Sequence, residues 1–275
     1  MNLRRIFLAP AWVMTAIFLV LPLFVVLAYS FLTRGAYGGL QLPWTTESYQ
    51  RLVDPLYLSI LGRSFLLAAV VTLVSLLVAY PLALFISRSG RRKMLWLNLV
   101  MLPFFTSLLV RTYAWVFLLR DTGLFNTVLL SVGLIQEPLP LLYNDGAVVL
   151  GLVYSYLPFM VLPIFANLER IDPNLLEAAA DLGESPLWAL WRVLAPLSRP
   201  GIVAGSVLVF IPSLGSYLTP DLLGGGKSVW VGNVIQNQFT NARDWPFGAA
   251  LGVCLMLLVL GLMRLWQSKG GGELG

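Results

Sequence analysis

The sequence predicts an all-α polytopic membrane protein with six transmembrane helices and both termini in the cytoplasm. Three observations carry that expectation. First, 58% of the 275 residues are hydrophobic and 11% are charged, against roughly 25% charged in soluble domains, so a water-facing surface cannot be built from this chain. Second, charge-free runs at 6–33, 64–87, 146–168 and 200–220 reach or exceed the ~20 residues that cross a ~30 Å hydrocarbon core. Third, Lys and Arg sit in short clusters beside these runs, which is how topology is encoded. The same facts exclude other classes. With no His and a single Cys, Cys254, the chain lacks His-dependent general-base chemistry, His metal ligation and an intrachain disulfide. Its formal charge of +5 is spent on membrane orientation rather than on nucleic acid.

Taken in order, the first span is 6–33. Arg4-Arg5 ahead of it resembles the start of a signal peptide, but the run far exceeds a 7–15-residue h-region. No convincing small-x-small cleavage site follows, so it reads as a retained helix. The second span is 64–87 and the third 94–119, broken only by Arg111. The run 122–136 is apolar but too short to span, and reads as an outer-surface helix packed on the bundle. The fourth span is 146–168. The fifth is 200–221, ending at Asp221, and the sixth is 245–266, apolar up to Arg264. Between those two, 224–243 opens on a glycine turn and then mixes apolar with amide side chains, as suits a short helix across the outer mouth. Gly270–Gly272 lies in a polar tail that reads as a disordered end. A cytoplasmic N-terminus puts 11 basic residues inside, including Arg4, Arg5, Arg88, Arg91, Arg92 and Lys93, and six outside: Arg34, Arg51, Arg63, Arg120, Lys227 and Arg243. That asymmetry fixes the expected orientation.

The chemically distinctive stretch is 169–199, the one long polar loop on the inside. Asp172 as N-cap and Pro173 at the first helical position start a helix on which Glu177 and Asp181 stand one turn apart. Ala178-Ala179-Ala180 gives a smooth surface that another backbone can approach closely. Gly183 interrupts the helix, and Ser185-Pro186 opens a second one carrying Leu187, Trp188, Leu190, Trp191 and Leu194. Pro196 and Pro200 end it before the fifth span. The expected product is a helix–turn–helix knob whose small-residue, acidic side faces the cytosol.

This loop resembles the EAA loop of inner-membrane permease subunits of ABC importers: Glu177-Ala178-Ala179, three residues, Gly183, and later Val193-Leu194-Ala195-Pro196. The family version ends in Ile-x-Leu-Pro, and here Val193 and Ala195 take the two apolar positions. The resemblance extends over nearly the whole chain. Leu102-Pro-Phe-Phe-Thr-Ser-Leu-Leu-Val-Arg-Thr-Tyr-Ala-Trp115, Gly151-Leu-Val-Tyr-Ser-Tyr-Leu-Pro-Phe-Met160, Pro220-Asp221-Leu-Leu-Gly-Gly225 and Asn241-Ala-Arg-Asp-Trp-Pro-Phe-Gly248 are similar to the first of the two permease subunits of spermidine/putrescine importers. The resemblance implies a type I ABC importer permease fold in the bacterial inner membrane, together with a second related permease, two ATPase subunits and an external substrate-binding protein. It also implies that Glu177, Ala178, Ala179, Gly183 and Pro196 couple this chain to the ATPase.

The chain itself has no G-x-x-x-x-G-K-[ST] loop; Gly224-Gly-Gly-Lys227-Ser228 lacks the spacing and lies on the outer side. It is therefore expected to be non-catalytic and to hold no cofactor, with ATP and Mg bound by a partner. For substrate, Asp221 follows Tyr217 at the mouth of a span, and a carboxylate with aromatic neighbours suits an organic cation. The competing reading is an interfacial helix-end acid. Tyr113 and Trp115 offer cation–π faces, or else serve as packing and interface anchors. Arg111 is a cation in an apolar run, costly there and repulsive to a polyamine. It is expected to pair with carbonyls or with a partner-subunit acid in a structural or gating role.

Two other classes compete with an ABC permease. A secondary transporter or channel needs coupling carboxylates or an inverted repeat in its spans, and neither is visible. A membrane-embedded enzyme needs a cluster of His, Asp or Cys at membrane depth. Within the permease reading, an importer of another small solute, such as an amino-acid derivative or iron complex, is the rival, because the binding protein largely sets the cargo.

Overall fold

The computed structural model describes residues 3–172 and 174–270, apart from the side chains of residues 3–7, 9, 186, 187 and 265–270. Pro173, the Leu187 side chain and Gly271 and Gly272, singled out above, lie outside the described residues. In chain order the elements are α1 (Leu3–Thr15), a π-helical turn (Ala16–Val20), α2 (Leu21–Tyr29), β1 (Leu32–Arg34), β2 (Leu40–Trp44), α3 (Glu47–Leu52), α4 (Pro55–Ser87), α5 (Lys93–Met101), α6 (Leu108–Leu119), α7 (Leu124–Ser131) and α8 (Asp145–Leu168). There follow α9 (Asn174–Asp181), α10 (Pro186–Ala189), a π-helical turn (Leu190–Leu194), α11 (Ala195–Leu197), α12 (Arg199–Gly215), α13 (Leu218–Gly224), α14 (Val231–Thr240) and α15 (Trp245–Gly270). Among the described residues four helices are long and apolar enough to cross a membrane, Pro10–Tyr29, Pro55–Ser87, Asp145–Leu168 and Trp245–Arg264, and the number reaches six if each of two bent pairs is counted as one span.

The bent pairs differ from the straight third and fifth spans expected above. The third run divides into Gly90–Phe105 and Leu108–Ser131, which meet at 91°. Pro103 opens a 3-10 turn over Leu102–Phe105, and Thr106 then adopts extended backbone (ψ 151). The Thr106 hydroxyl donates to the Pro103 carbonyl at 2.7 Å, a local hydrogen bond that competes with helix continuation. Just ahead of the fifth run, Leu190–Leu197 and Arg199–Gly215 meet at 66°. α12 stops at Gly215, Ser216 is extended (ψ 136), and Asp221 therefore sits on the separate helix α13 rather than at the end of a span. An apolar run shows that a segment tolerates lipid; it does not show whether its axis is straight.

The chain divides into two compact units. One comprises Met1–Ile60 with Gly232–Gly275, the other Leu61–Val231. In the first, α15 packs against α2, α3 and β1 around buried Leu52, Phe247, Ala250 and Leu251. The short antiparallel hairpin β1–β2 pairs Thr33 with Gln41 and Arg34 with Leu40, a small β element that the all-α reading did not include. Its turn passes Gly38 (φ +91), where a Cβ would lie 2.5 Å from that of Arg243, so only glycine fits there. Arg51 donates to Asp244 at 2.7 Å and lies over the Phe247 ring at 4.1 Å. Partial burial lowers the Arg51 pKa, but the hydrogen bond and charge of Asp244, helped by Tyr57, outweigh it and hold the guanidinium above its ordinary value. The segment Pro10–Tyr29 buries none of its apolar surface within the chain, with Trp12 and Phe18 among its exposed residues; such a surface belongs against lipid or another protein.

In the second unit α8 is the central helix: Val148, Leu152, Met160, Val161 and Ile164 are fully buried along it. α12 packs along α8 through Gly201 and Gly205, one turn apart. A Cβ at Gly201 would stand 2.7 Å from the Pro163 carbonyl oxygen, and one at Gly205 3.1 Å from that of Met160. This is the small-xxx-small contact by which membrane helices bring their backbones together. α13 lies on the other end of α8, its Leu223 and Thr219 side chains seated against Gly151.

Candidate functional site

The loop 169–199 folds into the helix–turn–helix that its residue pattern implies. The Asp172 carboxylate accepts the Asn174 N–H at 3.0 Å, as an N-cap does. α9 closes on Gly183, whose φ is +84. Gly183 N–H donates to the Ala180 carbonyl at 2.9 Å and Glu184 N–H to that of Ala179 at 3.0 Å, the paired hydrogen bonds of a Schellman cap. After the turn Glu184 pairs with Arg192 at 2.7 Å, and the Arg192 guanidinium lies 4.8 Å from the Trp188 ring centre. Ala179, Ala189 and Leu194 are the buried anchors of the knob. Glu177, Ala178 and Gly183 face outward, and Leu182 is 85% exposed. Pro196 lies exposed in the short α11, ahead of the bend at Ser198. A cavity of about 180 Å³ beneath the knob is lined by Leu84, Arg88, Leu176, Ala180, Glu184, Ala189, Leu190 and Leu194. The base is fastened by Lys93 to Glu169 at 2.6 Å and by the Tyr80 and Ser198 hydroxyls at 3.0 Å. The outcome is a capped, largely exposed protrusion that carries Glu177 on α9 and the exposed Leu182 at its turn.

The second group of sequence-selected residues lies around α13, which follows the end of α12 at Gly215, and along α6. α13 packs against both α6 and α8, so the helix bearing Asp221 meets the helix bearing Arg111, Tyr113 and Trp115. Thr219, Pro220, Leu223 and Gly224 are buried, whereas Asp221 is exposed on the opposite side. Tyr217, immediately before α13, is half exposed, and its carbonyl accepts the Asp221 N–H at 2.9 Å. Tyr113 and Trp115 separate: Tyr113 is 44% exposed, while Trp115 stacks on Phe125 at 6.5 Å and meets Tyr154 edge-on at 5.5 Å. Two residues apart on a helix, they point some 200° apart, so one partner cannot engage both. Arg111, four residues before Trp115, shares its side of α6.

One polar group escaped the sequence reading. Arg63 pairs with Asp145 at 2.6 Å, Ser228 donates to the same carboxylate, and the fully buried Trp230 donates its indole N–H to Ser228 at 2.9 Å. The Ser64 hydroxyl accepts the Val231 N–H at 2.9 Å. These contacts fasten the 224–231 segment to the starts of two apolar runs. The signal was present: Arg63 immediately precedes 64–87 and Asp145 immediately precedes 146–168, opposite charges at two span ends expected on one side.

Residues 10–268 match the family described as binding-protein-dependent transport system inner membrane component. The chain is 42% identical over 256 residues to the spermidine/putrescine transport system permease protein PotB of Escherichia coli (strain K12), covering 92% of this chain and 93% of that protein. It is 41% identical over 243 residues to the PotB of Haemophilus influenzae, covering 88% and 85%. The inner membrane ABC transporter permease protein YdcU of Escherichia coli is 34% identical over 230 residues, covering 78% and 72%. Among solved structures, a chain of a bacterial ABC transporter involved in the import of the acidic polysaccharide alginate superimposes with a TM-score of 0.73 at 18% identity, covering 99% of this chain and 96% of that one; at that identity the likeness is one of fold. With its apolar helices and this relationship, the chain is a multi-pass inner-membrane protein and belongs to the family of inner membrane components of binding-protein-dependent transport systems.

Proposed function

We propose that this chain is the non-catalytic permease subunit of an ATP-driven importer that carries spermidine, putrescine or a similar organic cation into the cytoplasm. The observation that carries this reading is the 42% identity, over nine-tenths of both chains, to a permease named for those two polyamines. The alginate transporter shares only the fold, and fold alone carries no cargo. In the same reading the chain pairs with a second, related permease, receives cargo from an external binding protein, and is driven by two ATPase subunits that bind ATP and Mg. The knob of α9 and α10 is its contact with the ATPase, through Glu177, Ala178, Ala179 and Gly183, with Pro196 at its base. A protrusion capped at Gly183 suits that task, because a motor moves a bundle only through a contact that does not yield. Asp221 and Tyr217 receive the cation, and both termini and residues 169–199 lie in the cytoplasm, a reading that the lysine and arginine asymmetry supports.

The test is uptake. The chain, its partner permease, the ATPase and the binding protein are expressed together in cells without other polyamine uptake, and accumulation of labelled spermidine and putrescine is followed with and without cellular ATP. ATP-dependent accumulation is expected. An assembled complex that accumulates neither amine refutes the cargo while leaving the family membership intact.

A further inference from the structure

Tyr80, Leu84 and Arg88 follow one another at four-residue spacing, so they share one face at the end of α4. Although α4 closes at Ser87, the Arg88 N–H still donates to the Leu84 carbonyl at 3.3 Å, which carries the helical turn through Arg88. That face is turned to the knob. The Tyr80 hydroxyl meets the fully buried Ser198 hydroxyl at 3.0 Å, and Ser198 in turn donates to the Ala195 carbonyl at 3.2 Å. The foot of the knob is thereby pinned to α4 at the bend between α11 and α12. One and two turns further along α4, Leu84 and Arg88 reach the cavity of about 180 Å³, and Leu176, Ala180, Glu184 and Leu190 reach it from the knob.

Charge and backbone together allow that gap a second arrangement. Glu184 is paired with Arg192 at 2.7 Å, but the Arg192 side chain is 62% exposed, and a pair so open to water is weak. Arg88 lines the same cavity as Glu184, and among the described residues it takes part in no ion pair. Glu184 thus has two guanidiniums within its surroundings, and exchanging one for the other leaves the number of ion pairs unchanged. A single π-helical turn, Leu190–Leu194, joins α10 to α11, and an irregular turn of that kind is where a helix bends. Moving the knob onto α4 also brings the mostly apolar lining of the cavity into contact, which gains dispersion.

We propose that the knob has a second seat, in which it closes on α4, its apolar side chains fill the cavity, and Glu184 leaves Arg192 for Arg88. Arg88 is then a positioning residue for coupling. The inference rests on the proposed role of the knob as the ATPase contact and not on the cargo. Pinned at Ser198, the knob is pressed inward by its partner until the gap is taken up. The Arg88–Glu184 pair holds it there, and from that point a push on the knob moves α4.

The test is the rate of disulfide formation between cysteines in Leu84→Cys and Ala180→Cys, on opposite sides of the cavity, in a Cys254→Ser background and in the complete transporter with its ATPase. A disulfide needs Cα atoms within about 7 Å, so the rate reports closure. Arg88→Glu sets two carboxylates against each other and is expected to slow cross-linking at least about fivefold. Adding Glu184→Arg restores opposite charges and should return the rate to within about threefold of the parent, a rescue that an arginine serving only the fold does not show. Arg192→Gln releases Glu184 and should raise the rate about threefold. A rate that does not respond to Arg88→Glu, that the charge swap fails to restore, or that Arg192→Gln fails to raise overturns the proposal. Uptake is not read, so a wrong cargo leaves this result standing, and the ATPase contact is checked separately by co-purification of the ATPase, so the two readings fail independently.

Discussion

Substituting Gly183 isolates one physical effect on coupling. A Cβ added there meets no atom within 4 Å, so for Ala the penalty comes from the backbone. At φ +84 an L-residue other than glycine costs roughly 1–2 kcal/mol, and a β-branched one more. The chain can relieve the strain only by giving up the two Schellman hydrogen bonds to Ala179 and Ala180, which re-aims α9 relative to α10 and disturbs the Glu184–Arg192 pair. Either way, about 1–2 kcal/mol moves the population of the docking geometry by a factor of roughly five to thirty. The predicted order of loss is Asn, least, then Ala, then Val, because Asn tolerates positive φ best. The assay is co-purification of the ATPase with the tagged permease pair, alongside labelled-polyamine uptake, at matched amounts of this chain in the membrane. Wild-type co-purification and uptake for Gly183→Val would refute the claim that the left-handed turn aims the coupling contact. Equal losses for all three substitutions would show that the effect is not one of backbone strain.

Three further outcomes are expected. Gly205→Leu places a branched side chain where even a Cβ lies 2.8 Å from the Met160 sulfur; overpacking of about 1–3 kcal/mol or more should lower the amount and thermal stability of the detergent-solubilised complex, and an unchanged melting temperature would contradict the packing described. Asp221→Asn keeps size and polarity and removes the charge, so uptake should fall roughly five- to fiftyfold with the complex intact, whereas wild-type uptake would take Asp221 out of the route. Single cysteines at positions 184 and 225, in a Cys254→Ser background, test orientation: an impermeant thiol reagent applied to intact cells should label position 225 and spare position 184, and labelling at 184 would invert the topology.

What was legible in the sequence follows the range of the interactions involved. Span number and the knob are local properties: mean polarity over ~20 residues marks one, and Asp172, Gly183 and the small residues between them mark the other, because caps are made within a few residues of the helix end. The breaks at Thr106 and Ser216 were not legible from polarity, since both lie in sequence as apolar as its surroundings; Pro103 with the adjoining Thr106-Ser107, and Pro212 ahead of Gly215-Ser216, were the only hints. Gly201 and Gly205 were readable as a small-xxx-small pair but give no indication of which helix they meet. The separation of Tyr113 from Trp115 follows from helical period alone.

The distribution of carboxylates bears on how a cation crosses such a bundle. The chain has 13 acidic residues, and the structure commits many of those near its apolar runs. Asp145, Glu169, Glu184 and Asp244 are in ion pairs, and Asp54 and Asp172 accept backbone N–H groups near helix starts. Glu177 and Asp181 lie exposed on the knob. Asp221 is exposed on α13, after the end of α12, and Asp121, just past the end of α6, is exposed as well. A polyamine carries at least two ammonium groups, and moving them from water into an apolar bundle costs too much for a single carboxylate to offset. On the proposed reading, the remaining compensation comes from the second permease or from backbone carbonyls such as those left free at the C-terminal end of α12. On that same reading, the conducting route runs along the contact of two permeases, with Asp221 as this chain's anionic contribution.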